Sequence, residues 1–356
     1  MNMHKNEANL WLTHVSKDFF PIWKERIAKF GGTEFKSLGH NFYSVLLDKS
    51  FTKENKTETI FSRYWLPVQY MWPTKSTQSG YIEKCAQGVA AKFSDHKFTN
   101  VVVFSLDRKD QSLASNLRGR LLQVVKDKIT KVTSPKLLTE WTKKPNMQPA
   151  RNTTLVVAIS EKCTWAGITT PQEAGSYFAG GRRYIGVSNE KIASRAAAKF
   201  VESLENLQLN DINLSQAKKW LELGAAPGGI THELSERQCE IWAVDKADLD
   251  KNLLKKQNVH FYKMDARDFK ERIHVDSIFC DLNGPSPLSA DICADKSVYL
   301  NKNGIIIYTF KIHSVEKFND DFEYIVNSFK NKACKFLYAY HLYNNKQEIT
   351  LFFKKQ

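Results

Sequence analysis

The chain has 356 residues, 42% of them hydrophobic, and a formal net charge of +14, which calls for two or three packed domains and excludes a disordered polyelectrolyte. No apolar run approaches the roughly 18 residues needed to cross a bilayer, and the stretch around Lys5 and Glu7 lacks a signal-peptide core, so a soluble cytoplasmic protein with no membrane partner is expected. Six cysteines without a C-x-x-C pair and nine isolated histidines exclude a disulfide framework and a zinc site, and no metal is expected.

Residues 1–200 hold 31 Lys and Arg against 16 Asp and Glu, whereas residues 201–356 hold 21 against 22. The positive charge therefore belongs to the N-terminal part. A basic module attached to a neutral domain fits a polyanion-binding arm that delivers a substrate; the plain alternative is a basic surface that only keeps the protein in solution.

In chain order, Ala8 to Val15 and Phe19 to Phe30 read as helices, Gly31-Gly32 as a break and Asn41 to Leu47 as a strand. This is a small α+β unit, bounded at 1–75. Phe61-Ser62-Arg63-Tyr64-Trp65-Leu66-Pro67 combines a cation with aromatics, for stacking on bases or for packing between domains. A second α+β unit, 76–190, carries a strand at Asn100 to Leu106, an amphipathic helix at Ser112 to Lys128 and a strand at Thr153 to Ile159. Arg118, Arg120, Lys126 and Lys128 on the helix, and Lys131, Lys136, Lys143, Lys144 and Arg151 beyond it, have few balancing acids. Gly180-Gly181-Arg182-Arg183-Tyr184 is either a phosphate-meeting backbone or a linker.

The third unit, 191–356, opens with a helix that Ser194 can cap. Strands and helices then alternate. Strands are expected at Trp220 to Leu223, Glu240 to Val244, Val259 to Tyr262, Asp276 to Cys280, Gly304 to Phe310, Lys335 to Tyr340 and Glu348 to Phe353, with helices near Leu249 to Lys256, Pro287 to Tyr299 and Val315 to Phe329. The succession calls for an α/β, Rossmann-like, mostly parallel seven-stranded sheet covered on both faces. In such a sheet a ligand lies across the carboxyl ends of the strands.

The first strand leads into Glu222-Leu223-Gly224-Ala225-Ala226-Pro227-Gly228-Gly229-Ile230. Small residues let the backbone approach a ligand, yet the spacing is neither a P-loop nor the dinucleotide pattern, so a nucleoside-like cofactor is expected rather than a bound phosphate. The other strand ends carry Asp245, placed for ribose hydroxyls, Asp265, placed for an adenine amino group, Asp281 and Lys311. Each has an alternative as a helix cap or surface charge.

Gly224 to Gly229, Cys280-Asp281-Leu282 and Phe310-Lys311 resemble the ribose 2′-O-methyltransferases of the FtsJ/RrmJ family. The resemblance implies S-adenosylmethionine as cofactor, held by Glu222, Gly224, Ala225, Ala226, Pro227, Gly228, Gly229, Ile230, Asp245, Asp265 and Asp281. It implies RNA, not DNA, as partner, and a catalytic set of Lys199, Asp281, Lys311 and Glu348, the first in Ser194-Arg195-x-x-x-Lys199 and the last in Gln347-Glu348-Ile349-Thr350-Leu351. Phe61 to Trp65, Thr164-Trp165-Ala166-Gly167 and the overall length are similar to the RlmM branch, the bacterial 23S rRNA cytidine 2′-O-methyltransferases. That likeness implies a ferredoxin-like domain and a THUMP RNA-binding domain ahead of the transferase, and large-subunit rRNA as substrate.

Two departures stand out. Glu222 replaces the family's usual Asp, and the Asp281 motif continues Leu-Asn-Gly-Pro, which opens the question of what Asn283 touches. A ribose hydroxyl needs a proton acceptor, and a lysine fills that role only as the neutral amine. Burial and the charge of Lys199 would favour that form of Lys311, with Asp281 and Glu348 orienting both amines. The rival readings are a 2′-O-methyltransferase of another RNA, such as an mRNA cap or tRNA, and a non-catalytic RNA-binding assembly factor on the same fold. Oligomeric state is not legible.

Overall fold

The structure, a computed structural model, describes residues 4–5, 9–48, 51, 60–126, 150–183 and 194–356. Two compact units are present: residues 1–182 with 208–212, and residues 183–207 with 213–356.

The N-terminal unit contains two sheets. The first has the order β3-β4-β2-β5 and is antiparallel throughout, built from β2 (Leu10–Val15), β3 (Thr33–Gly39), β4 (Phe42–Leu46) and β5 (Ser62–Pro67), with α1 (Phe20–Ala28). The segment from Ala8 was expected to be helical, but from Leu10 it is a central strand. Its Trp, Thr and Val favour a pleated surface, and burial on both faces hides the alternation that marks a strand. The second sheet has the order β1-β6-β9-β8-β7, from β1 (His4–Lys5), β6 (Tyr70–Pro73), β7 (Asn100–Ser105), β8 (Thr154–Ile159) and β9 (Cys163–Thr169). Helices α2 (Tyr81–Lys92) and α3 (Gln111–Val125) pack on it, and Leu117, Leu121, Leu155 and Val157 share their core.

Strand β5 settles the use of its aromatics. Trp65 packs edge-on to Trp11 and tilted against Phe51, while Tyr64 meets Phe104 of the second sheet. These rings are core, not a platform for bases. The basic surface is also more balanced than the sequence implied: Arg120 is paired with Glu83, and Arg151 with Asp211 at 2.6 Å. Arg182 donates to the Ser105 and Leu106 carbonyls and lies over Phe42 and Phe104, and buried Arg183 binds Glu205 at 3.0 Å. Both guanidiniums are thus engaged by protein rather than by phosphate. Lys128, Lys131, Lys136, Lys143, Lys144 and Tyr184 lie outside the described residues.

The second unit begins with α4 (Arg195–Leu209), where Ser194 Oγ accepts the Ala197 N–H at 3.2 Å. Its sheet runs β12-β11-β10-β13-β14-β16-β15: β10 (Lys219–Leu223), β11 (Glu240–Asp245), β12 (Val259–Lys263), β13 (Val275–Cys280) and β14 (Leu300–Lys311) are parallel, and β16 (Glu348–Lys355) is antiparallel to both β14 and β15 (Cys334–Tyr340). Strand order reverses at β10, so its carboxyl end opens a crevice. Helices α5 (Gly229–Glu236), α6 (Ser286–Lys296) and α7 (Phe318–Lys330) complete the layers. The helix expected over Leu249 to Lys256 is only a 3-10 turn at Leu253–Lys255, the one stretch where the helical expectation fails in this unit. Among the described residues no helix is long and apolar enough to cross a membrane.

Phe200 holds α4 on the sheet, edge-on to both Trp220 and Phe279 at 5.5 Å between ring centroids. Phe200→Ala is expected to cost about 3–5 kcal/mol in urea unfolding of this unit; a loss below about 1 kcal/mol would show that α4 is anchored elsewhere.

Candidate active site

The turn after β10 is shaped by close approach. Gly224 has φ +87°, and a Cβ there would stand 2.8 Å from the Asp281 carbonyl oxygen, so only glycine lets this turn touch the loop after β13. At Gly229 a Cβ would fall 1.9 Å from Ser194 Oγ, which brings the starts of α4 and α5 together.

Between this turn and the ends of β11, β12 and β13 lies a cleft of about 400 Å³. Every residue expected around the cofactor lines it except Gly228. That glycine, with φ +118°, faces Leu249 and Leu253 instead and sets the start of α5. Glu222 lies at the buried end of the cleft. Its Oε2 accepts the Thr231 hydroxyl at 2.7 Å, while its Oε1 has no hydrogen-bond partner among the described residues. Burial pushes its carboxyl up to about 8, against the opposing pull of the Thr231 hydrogen bond.

Asp245 ties β11 to the glycine turn: one carboxylate oxygen accepts the Ala226 N–H and the other the Ala247 N–H, both at 2.9 Å. Asp265 is differently placed from the expectation of a free acceptor. Arg267 binds it through Nη2 at 2.7 Å and through its backbone N–H, and Lys246 at 2.6 Å, which holds its carboxyl well below the usual carboxylate range, with the Arg267 hydrogen bond leading. The two cations were not read from the sequence, although both sit within two residues of an acid at a strand end.

Beside the cleft the fold gathers Lys199 from α4, Asp281 from the loop after β13, Lys311 from the end of β14 and Glu348 from the start of β16. Lys311 and Glu348 are register partners across the antiparallel pair. Lys199 Nζ lies 3.1 Å from Asp281 Oδ2 and 2.9 Å from Glu348 Oε1, and Lys311 Nζ lies 3.3 Å from Asp281 Oδ1. One carboxylate thus bridges two amines, with all four side chains less than a fifth exposed. Burial works to lower the pKa of Lys199, but Asp281 and then Glu348 outweigh it, so the amine lies above its ordinary value and stays charged.

Two supporting residues, Glu202 and Ser286, escaped the sequence reading, and a third, Asn283, was marked there only as a departure after Asp281. Glu202, one turn after Lys199, accepts the Tyr343 and Asn344 N–H groups at 2.7 and 2.9 Å and so ties α4 to the loop ahead of β16. Ser286 Oγ donates to the Lys311 carbonyl and accepts its N–H, both at 2.9 Å. Asn283 Oδ1 accepts from Lys311 Nζ at 2.7 Å. The i, i+3 spacing of Lys199 and Glu202 was the one available signal.

A doubly wound sheet with a small-residue turn at its switch point and acids at the neighbouring strand ends is the architecture of a nucleoside-cofactor methyltransferase. Residues 192–344 match the model of the FtsJ-like methyltransferases. Ribosomal RNA large subunit methyltransferase M of Psychromonas ingrahamii is 22% identical over 204 residues, 54% of either chain. An uncharacterised protein of Methanocaldococcus jannaschii is 27% identical over 180 residues, 49% of either chain. Ribosomal RNA large subunit methyltransferase M of Halorhodospira halophila is 34% identical over 89 residues, 25% of this chain and 26% of that one. The chain spans about half the length of the curated relatives it matches over the longest stretches.

The cofactor of this domain is S-adenosylmethionine, and the cleft fits it. The unsatisfied Glu222 Oε1 is an acceptor of the kind an ammonium group would take, and Gly224 and Asp245 line the same cleft.

Glu222 makes the ligand-free protein sensitive to pH. Its folded-state pKa is raised, so its contribution to stability is full below about 4.5 and is lost as pH rises through about 8. Between about pH 5 and pH 9, unfolding free energy of the wild type should fall by a few kcal/mol relative to Glu222→Gln. Parallel denaturation curves for the two proteins across that range would show that Glu222 is not buried neutral.

Proposed function

We propose that the chain is an S-adenosylmethionine-dependent RNA ribose 2′-O-methyltransferase acting on large-subunit rRNA. The observation that carries this reading is the Asp281 carboxylate bridging the amines of Lys199 and Lys311, with Glu348 closing the set, at the rim of the cofactor cleft. A protein that only binds RNA has no use for two buried lysines clamped by two acids. The names of the relatives favour rRNA over other RNAs.

The roles follow from charge and contact. Lys199, held as ammonium by two carboxylates, fixes Asp281 in position. Lys311, as the neutral amine, takes the proton of the ribose hydroxyl, and Asp281 steadies the ammonium that forms. S-adenosylmethionine held in the cleft between the Gly224–Ile230 turn and Asp245 would supply an electrophilic methyl on a sulfonium, with the sulfide as leaving group. Holding hydroxyl and methyl in line accounts for much of the rate. Residues 1–75 as a ferredoxin-like domain and 76–190 as a THUMP-like domain form the arm that brings RNA to this site, consistent with the net positive charge of residues 1–200.

Lys311→Ala is expected to lower methyl transfer by on the order of 10²–10⁴-fold and to leave S-adenosylmethionine binding by calorimetry nearly unchanged. Nucleoside mass spectrometry of rRNA from cells with and without the protein should place the lost methyl on a ribose; a methyl on a base would sink the 2′-O reading.

A further inference from the structure

The loop Asp281-Leu282-Asn283-Gly284-Pro285 carries a residue whose presence neither the cofactor cleft nor the four-residue set explains. Asn283 is exposed, lines the cleft, and its Oδ1 stands 2.7 Å from Lys311 Nζ, the shortest contact that amine makes. Its other acceptors are the Leu282 carbonyl at 2.9 Å and the Asp281 carbonyl at 3.4 Å, and the Asp281 carboxylate oxygen Oδ1 stands 3.3 Å away without a hydrogen bond to it. An amine has no acceptor to offer in its charged form, so the amide oxygen must be the atom that faces it and the amide NH₂ is turned away.

We infer that Asn283 is a positioning residue for Lys311, aiming the lone pair of the amine that takes up the proton of the substrate hydroxyl. This rests on the proposed function. The argument is one of valence. The ammonium has three N–H bonds and the neutral amine two, with a lone pair in the third direction. The two short acceptors, Asn283 Oδ1 and the Leu282 carbonyl, hold two N–H bonds in both states. Neither the Asp281 carbonyl at 3.4 Å nor the Asp281 carboxylate, whose Oδ1 makes no hydrogen bond among the described residues, holds the third direction closely, and that direction is left to the substrate hydroxyl. A proton taken up there forms an ammonium whose new N–H points to the hydroxyl oxygen it came from, with the Asp281 carboxylate 3.3 Å away to balance the charge. Without the Asn283 oxygen only the Leu282 carbonyl fixes a side chain with four rotatable bonds, and the lone pair sweeps a cone. Ser286 restrains the backbone of Lys311 but not its Nζ, so it does not replace Asn283.

The charged groups around this amine are Asp281 on its own loop, Lys199 from α4 and Glu348 from β16, and substitution at 283 leaves all three in place. Asn283→Ala removes an acceptor that favours the ammonium, and Asn283→Asp adds a second negative charge beside it. The test is the pH profile of single-turnover methyl transfer from tritiated S-adenosylmethionine, by the full chain, to large-subunit rRNA from cells lacking the protein. In Asn283→Ala the plateau should fall by about 10–100-fold and the limb that rises with pH should move to lower pH. In Asn283→Asp that limb should move to higher pH, and S-adenosylmethionine binding should stay within about twofold of wild type in both. A purely structural role for Asn283 lowers the plateau without moving the limb. Unmoved limbs in both variants beside an active wild type would overturn the positioning role alone; a wild type that transfers no methyl to ribose takes the functional reading down with it.

Discussion

Two ammonium groups and two carboxylates cannot be withdrawn from water unless they neutralise one another, and this condition organises the catalytic unit. An isolated charge at the depth of Lys199 would cost several kcal/mol, and removing either Asp281 or Glu348 leaves that amine with one partner in place of two. The four residues come from a helix, a loop after a central strand and two antiparallel neighbours. The set is therefore neutral only when α4, β13, β14 and β16 have all arrived. Charge balance and sheet assembly are one requirement. Glu202 and Phe200 serve it from the helix side, one by binding the loop ahead of β16 and the other by seating α4 on the sheet.

A second constraint is steric. The turn after β10 and the loop after β13 approach so closely that a single carbon at Gly224 would press on the Asp281 carbonyl. The residue that bridges both lysines thus stands directly against the small-residue turn that lines the cleft. Under the proposed function ribose hydroxyl and methyl donor must meet within a bond length or two, and this backbone contact would set the donor beside the proton acceptor.

Much of this was legible in the sequence because parallel sheets put function at strand ends. Glu222, Asp245, Asp281 and Lys311 each follow an apolar run, and counting strands places them on one edge. What was not legible depends on side-chain partners rather than on position. Asp265 was read as an open acceptor, but Arg267 and Lys246 occupy it. Arg120 was read as surplus charge, but Glu83, distant in sequence, pairs with it. Gly228 was placed on the cofactor together with its neighbours, but it is absent from the cleft lining and a Cβ there would meet Leu249 and Leu253. The first strand was taken for a helix because a strand buried on both faces loses its alternation.

The two halves of the site differ in how the chain encodes them, and the difference has a physical cause. A cradle for a nucleoside is made of backbone that must come close to the ligand, so it needs consecutive small residues, and Gly224 to Ile230 supply it as one readable run. Proton transfer needs groups that share and oppose charge at about 3 Å, and consecutive residues on a strand point to opposite faces. Such a set is assembled from separate elements, here residues 199, 281, 311 and 348. A motif search therefore sees the first half as a word and the second only as single letters. The sheet order, with β10 beside β13 and β14 beside β16, joins them. Asn283 belongs to the second half: the sequence marks it only as a departure after Asp281, and the position of Lys311, from a different strand, gives its amide oxygen something to hold.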